Sequence, residues 1–136
     1  MAYSIYWGAF IIPAFEPLYS DELHGTDYKI FFYLLSNINY TNNISSIKQK
    51  DISQELNIHK TTVSKSLKKL EELQYIAKVE KFNGYMINPN IFYVGKNKAD
   101  ERDKIRDEFD EIVISNNSEV RFSLIEYTGV LNDNNR

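Results

Sequence analysis

Between Lys60 and Lys69 the chain carries four lysines, Lys60, Lys65, Lys68 and Lys69, and no acid. Thr61, Thr62 and Ser64 sit among them. Ammonium groups neutralise phosphates and short hydroxyls can reach base edges, so this pattern suits a helix end entering the major groove of duplex DNA. The competing role is the commoner one for a charged helix face, which is to stay in water. Lys48, Gln49, His59, Lys78, Lys81 and Asn83 flank the run and complete the candidate DNA contacts.

Other chemistry is poorly provided for. The chain has no cysteine, which removes disulfides, thiolate catalysis and Cys-based zinc sites together. His24 and His59 are far apart in sequence, so there is no paired-His metal motif. The five glycines are isolated, and no Gly-rich phosphate loop exists. The acids from Asp100 to Glu111 alternate with bases and read as a solvated helix face. The expectation is a protein that is not an enzyme and has no cofactor and no metal.

The elements that must position the lysines follow from apolar spacing. A helix starting at Thr26 or Asp27 carries Ile30, Phe31, Leu34, Leu35 and Ile38, and ends in the polar loop 39–43. A short helix over Lys48–Leu56 has Ile52 and Leu56 on one face, and a third over Lys60–Gln74 repeats Val63, Leu67, Leu70 and Leu73. The connection Asn57-Ile58-His59 is that of a helix-turn-helix. Ser53 is small where the helices cross, Asn57 tolerates the left-handed conformation, and Ile58 plugs the gap. His59 is expected to cap the third helix or touch a phosphate.

A strand over Tyr75–Lys81, a two-residue Asn83-Gly84 turn and a strand over Tyr85–Val94 form the wing. Pro89 lacks the N–H of a central strand, so the second strand lies at an edge or bends there. A charged helix follows over Ala99–Ile112, with an Ile105, Phe109, Ile112 seam. The opposite charges four apart in Asp100/Lys104, Lys104/Glu108 and Arg106/Asp110 support it. One more strand is expected within 119–130, then a frayed end.

The fold class expected is α+β, a winged helix-turn-helix of three helices and a β-hairpin. Residues 1–25 form an aromatic arm, 26–95 the DNA-binding domain, and 96–136 a C-terminal helix and tail for dimerisation. The arm reads as extended or irregular and packs on its own domain or on a second copy. Ile105, Phe109, Ile112, Trp7 and Phe10 are the apolar residues available for a homodimer. The apolar N-terminus lacks preceding bases, is broken by Pro13 and Pro17, and falls short of the ~20 residues a membrane span needs, so a cytoplasmic protein is expected.

The segment from Gln49 to Ile76 is similar to the winged-helix unit of many bacterial regulators. Together with Gly84-Tyr-Met-Ile-Asn-Pro-Asn-Ile-Phe-Tyr-Val-Gly95, it resembles the RepL-type plasmid replication proteins of Gram-positive bacteria. The resemblance covers about residues 26–95. It implies a plasmid- or phage-borne protein that binds origin DNA and helps assemble the host replication machinery. A winged-helix transcriptional repressor or copy-control protein is the alternative reading, since it needs the same docking surface. A protein-interaction module that binds no DNA is the second alternative.

The 136 residues suit one domain with an arm, and 43% are hydrophobic, as in ordinary globular proteins. The formal charge of −3 is segregated. Residues 48–81 carry +3, residues 1–28 carry −4 and residues 95–136 carry −3. Acidic flanks around a basic centre would orient the lysine face toward a polyanion.

Overall fold

The computed structural model describes residues 7–94 and 99–122. In chain order the elements are β1 (Gly8–Phe10), α1 (Phe15–Ser20), α2 (Gly25–Ser36), β2 (Ile44–Ser45), α3 (Gln49–Leu56), α4 (Lys60–Glu72), β3 (Ile76–Val79), β4 (Gly84–Ile87), β5 (Phe92–Val94) and α5 (Ala99–Ser115). The expected α+β class holds, with the element order of a winged-helix-like fold.

Helices α2, α3 and α4 enclose the main core, where Ile30, Phe31, Leu34, Ile52, Val63, Leu67 and Leu70 are almost wholly buried. Helix α2 starts before Thr26 because His24 is its N-cap. The His24 backbone N–H donates to Asp27 Oδ2 at 2.9 Å, so Asp27 closes the first turn from inside the helix.

The hairpin departs from expectation at its turn. Val79 pairs with Gly84, so the connection is the four residues Glu80–Asn83, a 3₁₀ turn closed by Asn83 at φ 49°. Gly84 is a strand residue, and its lack of a side chain serves a close approach. A Cβ there would lie 2.3 Å from the Ser45 carbonyl oxygen. That carbonyl belongs to β2, a two-residue strand just past what the sequence offers as a polar loop. It pairs with β4 in the antiparallel order β2-β4-β3.

The chain bends at Pro89, as that residue requires, and β5 leaves to pair with β1 in register Gly8↔Val94 and Phe10↔Phe92. Buried asparagines hold the bend. Asn88 Nδ2 donates to the Gln74 carbonyl at 2.8 Å, and Asn88 Oδ1 accepts the Asn90 N–H at 2.9 Å. Asn43, fully buried, donates to the carbonyls of Ile87 and Phe92 and accepts the Val94 N–H at 3.0 Å. One side chain thus ties the end of β4 to β5.

The N-terminal arm is regular where its sequence suggests an extended or irregular path. After β1 come a 3₁₀ turn and α1, and Ala14 enters the main core. Phe10, expected at a dimer contact, packs on Phe92 and Phe15 of its own chain at 4.7 and 5.3 Å between ring centroids. Trp7 remains 70% exposed.

Helix α5 runs three residues past the expected end. Ile105 and Phe109, expected to face a second copy, are covered by their own sheet. With Val113 they pack on Ile44, Ala77, Met86 and Tyr93, and Phe109 is fully buried. The physical reason is that the outer face of β3 and β4 is itself apolar and needs a cover. Ile112 is half-buried at the rim of this cluster. Arg106 pairs back to Asp103 at 3.0 Å instead of forward to Asp110. Burial then pushes the Asp110 carboxyl up to about 6, against the pull of Arg106 and with the push of Asp107. Residues 119–122 form no strand, and the rest of the strand expected there lies outside the described residues.

Candidate nucleic-acid interface

The turn between α3 and α4 is fixed by short side chains acting on the backbone. Asn57 adopts φ 53°, ψ 49°, the left-handed cap that Asn accepts at low cost. Ser53 Oγ donates to the Ile58 carbonyl at 2.6 Å, while the Ile58 N–H donates to the Ser53 carbonyl at 3.1 Å. Ile58 is thereby pressed against the core. His59 Nδ1 accepts the Thr61 N–H at 3.2 Å, the capping role expected of it.

With the turn fixed, α4 has two faces. Val63, Ser66, Leu67 and Leu70 are buried. Lys60, Thr61, Thr62, Ser64, Lys65 and Lys68 are exposed on the other side, and none of the three lysines forms an ion pair among the described residues. The uncompensated charge therefore lies along one continuous strip of helix surface.

Lys69 does not belong to that strip. Its Nζ lies 3.1 Å from Asp27 Oδ2 in α2, and Asp27 is 5% exposed. Ser66 Oγ donates to the other oxygen of the same carboxylate. Burial pushes the Asp27 carboxyl up, but the Ser66 hydroxyl, the His24 N–H and the Lys69 ammonium outweigh it and leave the group below its ordinary value. Lys69 thus ties α4 to α2, and its charge is shared with Asp27 where the lysines of the strip have no such partner among the described residues. The sequence offers Asp27 as a helix start but shows neither its pairing with Lys69 nor a role for Ser66. The available signal was Ser66 itself, a hydroxyl between Val63 and Leu70 on the buried stripe, where it demands a partner.

Lys48, Gln49, Lys78 and Asn83 come together. With Glu80 and Tyr85 they line a cleft of about 250 Å³ between the start of α3 and the hairpin. Gln49 Nε2 donates to the Tyr85 hydroxyl at 3.2 Å, which binds the start of α3 to β4. Lys78 pairs with Glu80 at 3.7 Å, so its charge is partly offset. Lys81 Nζ lies 5.6 Å from the Phe82 ring centroid at the hairpin tip.

Among the described residues no group of three His, Asp or Glu is placed to hold a metal ion, and no helix is long and apolar enough to cross a membrane. No curated protein and no solved structure matches the chain. One family model does, over residues 19–127, reaching beyond the 26–95 that the sequence resemblance covers and taking in α5. By that match the chain belongs to the RepL family of Firmicute plasmid replication proteins.

Proposed function

We propose that the chain binds a specific duplex sequence in its own plasmid and thereby serves the initiation or maintenance of replication there. The exposed strip of α4 enters the major groove. Lys60, Thr61, Thr62, Ser64 and Lys65 reach base edges and adjacent phosphates, while Lys48, Lys68 and Lys81 hold the backbone on either side. The observation that carries this reading is the strip itself: exposed, free of acids and set at the capped N-terminal end of α4. Family membership favours replication over control of transcription, which would use the same surface.

One such helix reads only a few base pairs, so the reading includes two copies on half-sites about 34–36 Å apart. Of the apolar residues expected at a dimer contact, Ile105, Phe109 and Phe10 are occupied within their own chain, and Trp7 and the rim residue Ile112 remain for pairing. Host replication proteins are the further partners this role requires.

The test is a binding titration on duplexes cut from the chain's own plasmid, at several salt concentrations. The Lys60→Ala, Lys65→Ala double variant should bind more weakly, with the slope of log K against log salt flatter by about 0.9 for each phosphate no longer neutralised. Binding that persists with an unchanged slope would exclude α4 as the docking element. The same titration gives the stoichiometry, and one chain per full site would exclude the dimer.

A further inference from the structure

Burial changes abruptly along the β3–β4 hairpin. Glu80, Lys81, Phe82 and Asn83 are all exposed, whereas every residue from Gly84 to Asn90 is buried. Phe82 keeps 42% of its surface exposed. A lone exposed apolar side chain is ordinary on a protein surface and implies nothing by itself.

Three observations set Phe82 apart. Its support is rigid, because β4 is the central strand of its sheet and its first residue lies against the backbone of β2. The tip itself is closed by the Asn83 N–H to the Glu80 carbonyl at 3.1 Å. A cation travels with the ring, since Lys81 Nζ is 5.6 Å from its centroid. Finally, the flank of the hairpin shares a cleft with Lys48 and Gln49, so the tip stands beside the start of the helix-turn-helix. The acid in that cleft, Glu80, has Lys78 as its partner.

We propose that Phe82 is a wedge that partly unstacks one base step of the bound duplex. This rests on the DNA-binding reading above. With α4 in the major groove, the hairpin tip meets the neighbouring minor groove, where Lys81 and Asn83 hold the walls and the ring enters between bases. Apolar side chains used in this way open and bend DNA, and flexible pyrimidine–purine steps such as TA yield most easily. Stacking of the ring on a base offsets the disrupted base–base stacking, so the wedge changes the shape of the DNA more than the affinity. A replication protein gains a local opening of the duplex without any catalytic group.

The test uses the full chain and a duplex of about 30 base pairs of alternating T and A, with 2-aminopurine in place of adenine at several steps. Anisotropy of an end label reads docking, and 2-aminopurine fluorescence reads unstacking. The wild-type chain should raise both. Phe82→Ala should reach the same anisotropy, with affinity within about tenfold of wild type, and leave the fluorescence at its free value. Phe82→Leu, still a wedge but a smaller one, should recover part of it. Docking of the wild type without a fluorescence rise, or an equal rise with Phe82→Ala, overturns the wedge and leaves DNA binding intact. Absence of any anisotropy change on this duplex and on duplexes from the plasmid overturns both.

Discussion

Gln74 Oε1 accepts the backbone N–H of Arg121 at 2.8 Å. Its Nε2 donates to the Glu119 carbonyl at 2.6 Å, so the side-chain amide takes the part of a peptide group in a neighbouring strand. Gln74 sits just after α4, at φ 64°. The segment clasped there also carries Phe122, buried against Tyr75, and Arg121, whose guanidinium lies 2.6 Å from Asp21 Oδ1. Tyr75 Oη lies 2.6 Å from the other Asp21 oxygen and 2.9 Å from the Pro17 carbonyl. Both flanks of the chain are thus tied to the C-terminal end of α4. Gln74→Asn keeps a residue that tolerates this backbone but is too short to reach both partners. We expect a loss of about 1–3 kcal/mol in denaturant unfolding, with early hydrogen exchange at the Arg121 amide.

Asp27 should behave as a charged joint. Asp27→Asn retains the shape but weakens the bonds to Ser66 and Lys69, and should cost about 2 kcal/mol at pH 7. The folded-state pKa is depressed below the ordinary value of 3.8, so the contribution is full above that value and disappears as pH falls through the folded pKa. Melting curves of the two proteins should therefore converge in acid. A gap that stays constant down to the acid limit would refute the charged role.

Asp110 should show the opposite sign. Its carboxyl is pushed up to about 6 by burial, so the folded state favours the protonated acid. The stabilising effect of that proton is complete below the unfolded value of 3.8 and is lost as pH rises through about 6. At pH 7 Asp110→Asn should therefore stabilise α5, by no more than about 1 kcal/mol in this partly solvated position. The gain should fade between about pH 6 and pH 4 in thermal melts. A stabilisation that persists unchanged in acid would refute the account.

Sequence alone reveals the helix-turn-helix because its determinants are local. Ser53, Asn57, Ile58 and the Val63-Leu67-Leu70 stripe lie within one short window and act on residues a few positions away. The bend at Pro89 is legible for the same reason, since a missing N–H is a property of one residue. What escapes is non-local. The two residues of β2 carry no periodicity, and their pairing with Tyr85 and Met86 is a tertiary event. Gly84 reads as a turn residue because a close backbone approach leaves no mark in the sequence other than the glycine itself. Lys69 looks like the lysines beside it because the acid that claims it is 42 residues away. The seam of α5 is visible, but which surface it covers is not.

Asn43 has a consequence for the order in which the chain folds. Its side-chain bonds to Ile87, Phe92 and Val94 span 44, 49 and 51 residues. Closing loops of that length costs chain entropy before any bond compensates, whereas α3 and α4 pack on each other across a turn of three residues. We therefore expect the asparagine to act as a latch that engages late, after the α3–α4 pair has formed. In stopped-flow unfolding and refolding, Asn43→Ala should accelerate unfolding far more than it slows folding. What this buried amide governs is how long the molecule stays closed.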